Sequence, residues 1–329
     1  MMAKADGALA WPLHLAVLAV LLALNFVLPD YHHGIMARIL VLAVFASGYN
    51  LLFGYTGLLS LGHALFFAAG LYGAGLSMTY LGAGPIGGFA SGIVAGAVVS
   101  LVVALLALRT SGVAFMIVTM MFAQAAYLTI LYFNAWTGGD QGLVLQQATR
   151  VVDFAGTRID LTNPSTRYLT AWGLFAATIV VMLVVVRSRF GRVLVAIREN
   201  EERARMLGFD AFANKLAATV ISGTIAAAAG AAYAILFGYV GSTFASVQYS
   251  ILPLLWVLLG GGATVLGPLL GTVLMYYLVD GSNDVLQAWL PQWKLSHLGV
   301  VGVALILLVL FFPKGILGTL RERWARALP

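Results

Sequence analysis

Residues 39–108 read ILVLAVFASGYNLLFGYTGLLSLGHALFFAAGLYGAGLSMTYLGAGPIGGFASGIVAGAVVSLVVALLAL, and these seventy residues contain no Lys, Arg, Asp or Glu. A charged side chain at the centre of a bilayer costs about 2.5 to 3.5 kcal/mol on insertion scales. One crossing helix needs about 20 apolar residues. The stretch therefore predicts a membrane-embedded region with room for three crossing helices.

The composition of the whole chain supports the same class of protein. Hydrophobic residues make up 61% of the 329 positions and charged residues only 9%, whereas a soluble domain carries about 25% charged residues. A cytosolic enzyme, a nucleic-acid-binding module and a disordered protein are therefore poor explanations. The chain has no Cys, which excludes thiolate catalysis and cysteine-ligated metal. No catalytic residue, cofactor site or metal site is predicted in this chain.

The remaining charge-free stretches supply the other predicted crossings. Four of them have room for one helix each and a fifth, residues 216–279, has room for three; the four are residues 7–29, 110–139, 168–186 and 295–313. The prediction is an all-α, multi-pass membrane protein of about ten (8–10) crossing helices. We expect it to form a single transmembrane domain over residues 1–329.

The distribution of Lys and Arg predicts the orientation. Residues 187–215 carry seven Lys or Arg and residues 314–326 carry four, and such segments are typical of the cytoplasmic side. Residues 134–167 carry three Arg and three Asp, which favours a loop on the opposite, periplasmic side. Counting the crossings places both termini in the cytoplasm, with 13 Lys or Arg inside and five outside.

Two glycine-rich segments lie between predicted helices, one in each half of the chain. They are residues 54–62 (GYTGLLSLG) and residues 260–268 (GGGATVLGP). Breaks at comparable places in two halves are typical of a transport pathway, and a re-entrant pair near Gly260 is one form of such a break. Close helix packing and tight turns are the alternative explanation. The candidate pathway residues are Gly54, Gly57, Gly62, Gly260, Gly261, Gly262 and Gly267.

Residues 187–215 form a polar cytoplasmic segment that is long for a simple turn. Glu199 and Glu201 precede Arg203 and Arg205 by four residues, the order that stabilises a helix, and Gly208 suits the helix end. Val193, Ile197, Ala204 and Leu207 supply its apolar positions. A solvated helix is one interpretation, and a docking helix for a soluble partner is the other. The candidate coupling residues are Arg198, Glu199, Glu201, Glu202, Arg203, Arg205 and Gly208.

Several segments carry a resemblance to a known family. Glu202-Arg-Ala-x-x-x-Gly208 resembles the E-A-A-x-x-x-G loop of bacterial ABC-importer permeases, with Arg203 in place of the usual Ala. The wider sequence resembles the branched-chain amino-acid ABC transporter permease family over about residues 35–320. The matching segments are residues 48–64, 109–115, 191–210, 260–268 and 313–318. Residues 137–143 (TGGDQGL) resemble the LivM-type rather than the LivH-type subunit.

The resemblance implies a function, partners and a location. It implies an ABC-importer permease fold in the bacterial inner membrane, a second related LivH-type permease, two ABC ATPase subunits that bind ATP and Mg²⁺, and a periplasmic substrate-binding protein. Membrane lipid is the remaining partner, and no nucleic acid is expected. Asp140 is the candidate contact for the binding protein.

Alternatives remain for the solute and for the energy source. Permeases for urea or short-chain amides look similar to this sequence. A secondary transporter would explain the apolar composition but would leave residues 191–208 without a role.

Overall fold

The computed structural model describes residues 2–154 and 157–289, together with residues 302, 303, 306, 310, 312 and 315–320. The first part of this chain is helical: α1 (Met2–Val27), α2 (Asp30–Asn50), α3 (His63–Tyr80), α4 (Pro85–Ala107), α5 (Val113–Tyr132) and the short α6 (Asn134–Thr137). The rest contains four short strands and six more helices. These are β1 (Leu143–Val144), β2 (Val151–Phe154), β3 (Thr157–Asp160), α7 (Pro164–Arg187), α8 (Arg189–Glu199), α9 (Glu201–Met206), α10 (Ala211–Phe237), β4 (Tyr239–Val240), α11 (Val247–Gly260) and α12 (Gly267–Trp289).

Each of the two long charge-free stretches contains three helices, and of these six helices α2, α4 and α10 are long and apolar enough to cross a membrane. Three helices (α2, α3 and α4) cover residues 39–108, and three (α10, α11 and α12) cover most of residues 216–279. Five segments of the described chain are long and apolar enough to cross a membrane: Asp30–Tyr55, Pro85–Ala107, Val113–Tyr132, Pro164–Arg187 and Ala211–Phe237. The total of about ten crossings and the cytoplasmic termini stay predictions. The span predicted over 295–313 lies largely outside the described residues.

The centre of the bundle is formed by α2, α3, α4, α7 and α10. Helix α2 is its most enclosed member, since nearly every residue from Ile39 to Asn50 is buried. Helix α5 is the opposite case, since only 17% of its apolar stretch is buried inside the chain. An apolar helix that is exposed on most sides is suited to contact lipid or another membrane helix.

Small residues allow α3, α4 and α10 to approach one another closely. A Cβ placed on Gly70 would overlap the carbonyl group of Ala227, and one on Gly92 would lie 2.6 Å from Cβ of Ala231. Helices in lipid associate through such close packing, because apolar side chains gain nothing by leaving lipid for one another. The glycines of α3 and α4 are therefore packing residues.

The segment between α5 and α7 differs from the simple loop that the sequence predicts. Strand β2 pairs with β3 in an antiparallel hairpin, and β1 pairs with β4, with Leu143 opposite Val240. Helix α7 begins at Pro164, earlier than predicted, because Asn163 accepts a hydrogen bond from the Ser165 N–H and Pro164 occupies the first turn. We call the end of the bundle that carries these strands the hairpin end.

Replacing Gly70 with Val tests the close approach of α3 and α10. The new side chain would overlap the backbone of Ala227, and overpacking of this kind destabilises a protein by about 1 to 3 kcal/mol or more. We expect a lower midpoint of thermal unfolding in detergent than for wild type. Gly173→Val is the control, since Gly173 of α7 has open space around it. Equal midpoints for the two variants would contradict this description of the packing.

Candidate functional site

The two glycine-rich segments, which are about 200 residues apart in sequence, meet in the structure. Helix α2 ends at Asn50 and continues into a π-helical turn, Leu51–Tyr55, before the chain breaks. The fully buried Asn50 side chain donates a hydrogen bond to the Thr264 carbonyl (2.8 Å) and accepts one from the Ala263 N–H (3.0 Å). We call this contact between residues 50–62 and 260–267 the junction.

The junction holds the backbone in a restricted geometry. Ala263 has a φ of +59°, a left-handed conformation that residues other than glycine rarely adopt. The hydrogen bond from its N–H to Asn50 supports that conformation. A Cβ on Gly54 would lie 2.6 Å from the Ala263 nitrogen, so only glycine allows the two backbones to approach this closely.

All seven glycines predicted as pathway residues lie at the junction or beside it. Gly62 packs against the Thr119 backbone of α5, while Gly260 and Gly267 lie against each other in the tight turn between α11 and α12. Helix α11 has 14 residues, about 21 Å at 1.5 Å per residue, which is shorter than the roughly 30 Å core of a bilayer. Close packing explains most of these glycines, and the structure brings both predicted breaks to one place.

The cytoplasmic segment predicted over 187–215 folds as two helices. The prediction of one continuous helix through Glu199 and Arg203 was wrong: Asn200 is extended (φ −159°, ψ 104°) and caps α9 by accepting a hydrogen bond from the Arg203 N–H at 2.8 Å. An Asn side chain competes for backbone hydrogen bonds and favours a helix start over a helix interior. Glu199 and Arg203 therefore belong to different helices.

Glu201 fastens α9 to α10. Its carboxylate lies 2.6 Å from the Arg205 guanidinium, as the four-residue spacing predicts, and it also accepts a hydrogen bond from Lys215 of α10. Partial burial raises the pKa of Glu201, but the hydrogen bond and charge of Lys215, with those of Arg205, outweigh it and leave the pKa below its ordinary value. The ion pair thus contributes stability that is lost as the pH falls through this lowered pKa.

Apolar contacts complete this arrangement. Ile197, Ala204 and Ala211 are buried together, with Val193 against them. They join α8, α9 and the start of α10 into one unit. Leu207, predicted as a further apolar contact, is instead 69% exposed.

Arg198 connects this unit to the junction. Its guanidinium donates a hydrogen bond to the Gly54 carbonyl, and a Cβ on Gly57 would lie 2.9 Å from the Arg198 Cγ. The sequence predicted Arg198 as a contact for a soluble partner. The structure places its charged end against the helix break of its own chain, so that a displacement of α8 would act directly on residues 54–57.

The surface at the end of α9 and the start of α10 exposes apolar residues, of which the sequence analysis named only Leu207 and expected it to be in contact. Met206 is 81% exposed, and Leu207, Phe209 and Phe212 are also exposed. Gly208, between them, has a φ of +87°, which ends α9 and turns the chain toward α10. We call Met206, Leu207, Phe209 and Phe212 the apolar patch; Glu202 and Arg203 are exposed beside it. The signal in the sequence was the apolar run that follows the charged residues.

Asp140 lies at the hairpin end, in a tight glycine turn. The Thr137 hydroxyl accepts a hydrogen bond from the Gly139 N–H (3.1 Å) and donates one to the Ile130 carbonyl (2.6 Å). A Cβ on Gly142 would lie 2.5 Å from the Val240 carbonyl oxygen. Asp140 is therefore exposed on a constrained turn.

Helix α3 separates this turn from the junction. It starts at His63, next to the junction, and ends at Tyr80, whose hydroxyl donates a hydrogen bond to the Trp136 carbonyl at 3.0 Å. Its 18 residues span about 27 Å. Asp140 and the coupling residues thus lie at opposite ends of the bundle.

Arg150 caps the C-terminal end of α10, at the hairpin end of the bundle. Its guanidinium is buried and donates a hydrogen bond to the Leu236 carbonyl (3.2 Å) at the last turn of the helix, where a cation is favourable. Burial lowers the pKa of Arg150, and the nearby charge of Asp160 opposes that shift. In the part of the chain that the structure describes, no group of three His, Asp or Glu side chains could hold a metal ion.

Comparison with known proteins identifies relatives over nearly the whole chain. A family model described as branched-chain amino acid transport system / permease component matches residues 32–311. The high-affinity branched-chain amino acid transport system permease proteins LivM of Salmonella typhimurium and Escherichia coli are each 27% identical to it, over 94% of this chain and 75% of theirs. A probable LivM permease protein of Methanocaldococcus jannaschii is 26% identical, over 82% of this chain and 88% of its own. No solved structure matches.

Replacing Asn50 with Ala tests the junction. The change leaves the Ala263 N–H and the Thr264 carbonyl without their partner, and each unpaired buried group costs about 1 to 3 kcal/mol. We expect a clear drop in the midpoint of thermal unfolding in detergent. Asn214→Ala is the control, since Asn214 makes only an exposed bond within its own helix. A midpoint for Asn50→Ala that matches this control would show that the two segments are held together by other contacts.

Proposed function

The chain belongs to the family of permease components of branched-chain amino acid transport systems, and we propose that it forms one half of the membrane pathway of an ATP-driven importer for such amino acids. It is a multi-pass protein of the inner membrane and a transport component. A solute with an apolar side chain and two charged ends that neutralise each other is suited to a pathway almost without ionisable groups.

The proposed coupling mechanism rests on one contact. The unit formed by α8, α9 and the start of α10 is joined through Arg198 to Gly54, at the point where both helix breaks meet. A partner that moves this unit would pull on the break at residues 54–62. The Asn50 contact with Ala263 and Thr264 would then pass the displacement to the α11–α12 turn. A coupling of this kind requires contacts that differ between two states.

The energy source lies in other subunits. The sequence contains no G-x-x-x-x-G-K-[ST] segment, the loop that holds nucleotide phosphates in ATPases of this kind. We infer that two ABC ATPase subunits, which bind ATP and Mg²⁺, serve the importer, and that one of them docks on the exposed apolar patch of this chain and on Glu202 and Arg203 beside it. The patch supports this choice, since exposed apolar residues with polar neighbours are typical of interaction sites.

The other partners follow from the two ends of the bundle. With α8 and α9 on the cytoplasmic side, the hairpin end faces the periplasm. There a substrate-binding protein would deliver the solute, with Asp140 as its candidate contact. A second related permease of the LivH type would complete the pathway. The weakly buried helix α5 is one surface that a neighbouring helix or lipid would cover.

Uptake measurements test the proposed function. In cells that express this chain with its partner subunits, we expect labelled leucine to accumulate. Unlabelled isoleucine and valine should reduce this accumulation by competition. Accumulation should stop when the nucleotide-binding Lys of the ATPase partners is replaced. Uptake that continues without ATP hydrolysis would indicate a secondary transporter. Competition by urea or short-chain amides, but not by valine, would assign a different solute.

Replacing Leu207 with Asp tests the docking surface. Because Leu207 is 69% exposed, the change should leave the fold intact while placing a charge in the interface. We expect the permease to insert normally and the ATPase subunits to be recovered with it at least tenfold less in co-purification. Leu81→Asp, which changes a residue between α3 and α4 that is 82% exposed, is the matched control. Full recovery of the ATPase subunits with Leu207→Asp would show that the apolar patch is not part of the docking interface.

A further inference from the structure

Two arginines lie against one aromatic ring at the hairpin end of the bundle. Arg38 comes from the third turn of α2, Arg167 from the first turn of α7, and Phe237 is the last residue of α10. The guanidinium carbons of Arg38 and Arg167 lie 5.2 Å and 5.5 Å from the centroid of the Phe237 ring. Three helices therefore bring two positive charges and one aromatic ring together.

Aromatic side chains extend from this ring toward the middle of the bundle. Tyr233 lies 4.6 Å from Phe237 and 4.9 Å from Phe244, and Phe244 lies 5.0 Å from Tyr249 (all between ring centroids). Phe237, Phe244 and Tyr249 are only partly buried. The two guanidiniums thus lie beside a row of aromatic rings, three of which are partly exposed.

The hydrogen bonds around the arginines leave donors free for an anion. Arg38 is exposed. Arg167 donates one hydrogen bond to the Thr162 carbonyl (3.1 Å), and its buried Nε has no partner among the described atoms. Asp160, the nearby carboxylate, accepts hydrogen bonds from the backbone and hydroxyl of Thr162 (2.8 Å and 2.7 Å), and only its charge acts on Arg167.

Packing alone does not account for a second arginine at this ring. A cation over an aromatic face gains about 0.5 to 1 kcal/mol at an exposed site, and one guanidinium would suffice for that. A second guanidinium adds repulsion between like charges, which an anion held between them would remove. The planar guanidinium is the side chain best matched to a carboxylate, with two parallel hydrogen bonds.

We propose that Arg38 and Arg167 bind the carboxylate of an amino acid at the periplasmic mouth of the pathway, with the aliphatic side chain of the solute against Phe244 and Tyr249. The proposal rests on the proposed function, since it concerns the solute of that importer. It assigns to the permease itself a contact with the solute after the binding protein releases it.

The test uses the complete importer in liposomes with its binding protein, loaded with labelled leucine. Arg38→Gln and Arg167→Gln should each lower the maximal rate of ATP-dependent uptake about tenfold, the loss expected when one charge-assisted hydrogen bond of about 1.5 kcal/mol is removed. The concentration of loaded binding protein at half-maximal rate should not change. Arg38→Lys, which keeps the charge, should recover part of the rate. Arg158→Gln removes an exposed positive charge from strand β3 at the same end and is the matched control.

Each other outcome contradicts the proposal in a different way. Unchanged uptake in both Gln variants would mean that neither arginine binds the solute. A higher half-maximal concentration at an unchanged maximal rate would assign the arginines to docking of the binding protein. A Lys variant as slow as the Gln variant would mean that the positive charge of Arg38 makes no contribution to uptake. Failure of the proposed function itself is recognisable, because the wild-type importer would then show no ATP-dependent uptake of leucine.

Discussion

The structure depends on the rule that a backbone away from water must find its hydrogen-bond partners within the protein. Helices satisfy this rule by themselves, but the breaks after Tyr55 and after Gly260 do not. The Asn50 side chain satisfies two backbone groups of the second break, because one amide group can donate to the Thr264 carbonyl and accept from the Ala263 N–H. The two halves of the chain are joined where their helices are interrupted.

This junction contrasts with the rest of the bundle. Between α3, α4 and α10, glycines such as Gly70 bring backbones so close that no side chain fits between them, and such packing resists displacement. The junction is also closely packed, at Gly54 against Ala263, but it adds a few hydrogen bonds, a strained Ala263 and the Arg198 contact to Gly54. A movement that starts at α8 is therefore expected to be absorbed at the junction rather than within the three-helix core.

The charged residues have different roles at the two ends of the bundle. At the junction end, Glu201 is occupied in holding α9 to α10, and the surface left for a partner is mainly apolar. At the hairpin end, Arg150 caps the last turn of α10, while Arg38 and Arg167 both lie against Phe237. Positive charge is thus used twice at the hairpin end, once for the fold and once, in the proposal above, for the solute.

The sequence by itself determined the membrane class, the number of helices in the two long charge-free stretches, the family, and the positions of both glycine-rich breaks. These follow from composition and local spacing, because the cost of a charge in lipid and the conformational freedom of glycine act residue by residue. Only the tertiary structure decided that the two breaks touch, that Arg198 points at Gly54 instead of outward, that Leu207 is exposed, and that Arg38 and Arg167 share one ring. These contacts join residues far apart in the chain, and no local pattern specifies which distant backbone group a side chain will reach.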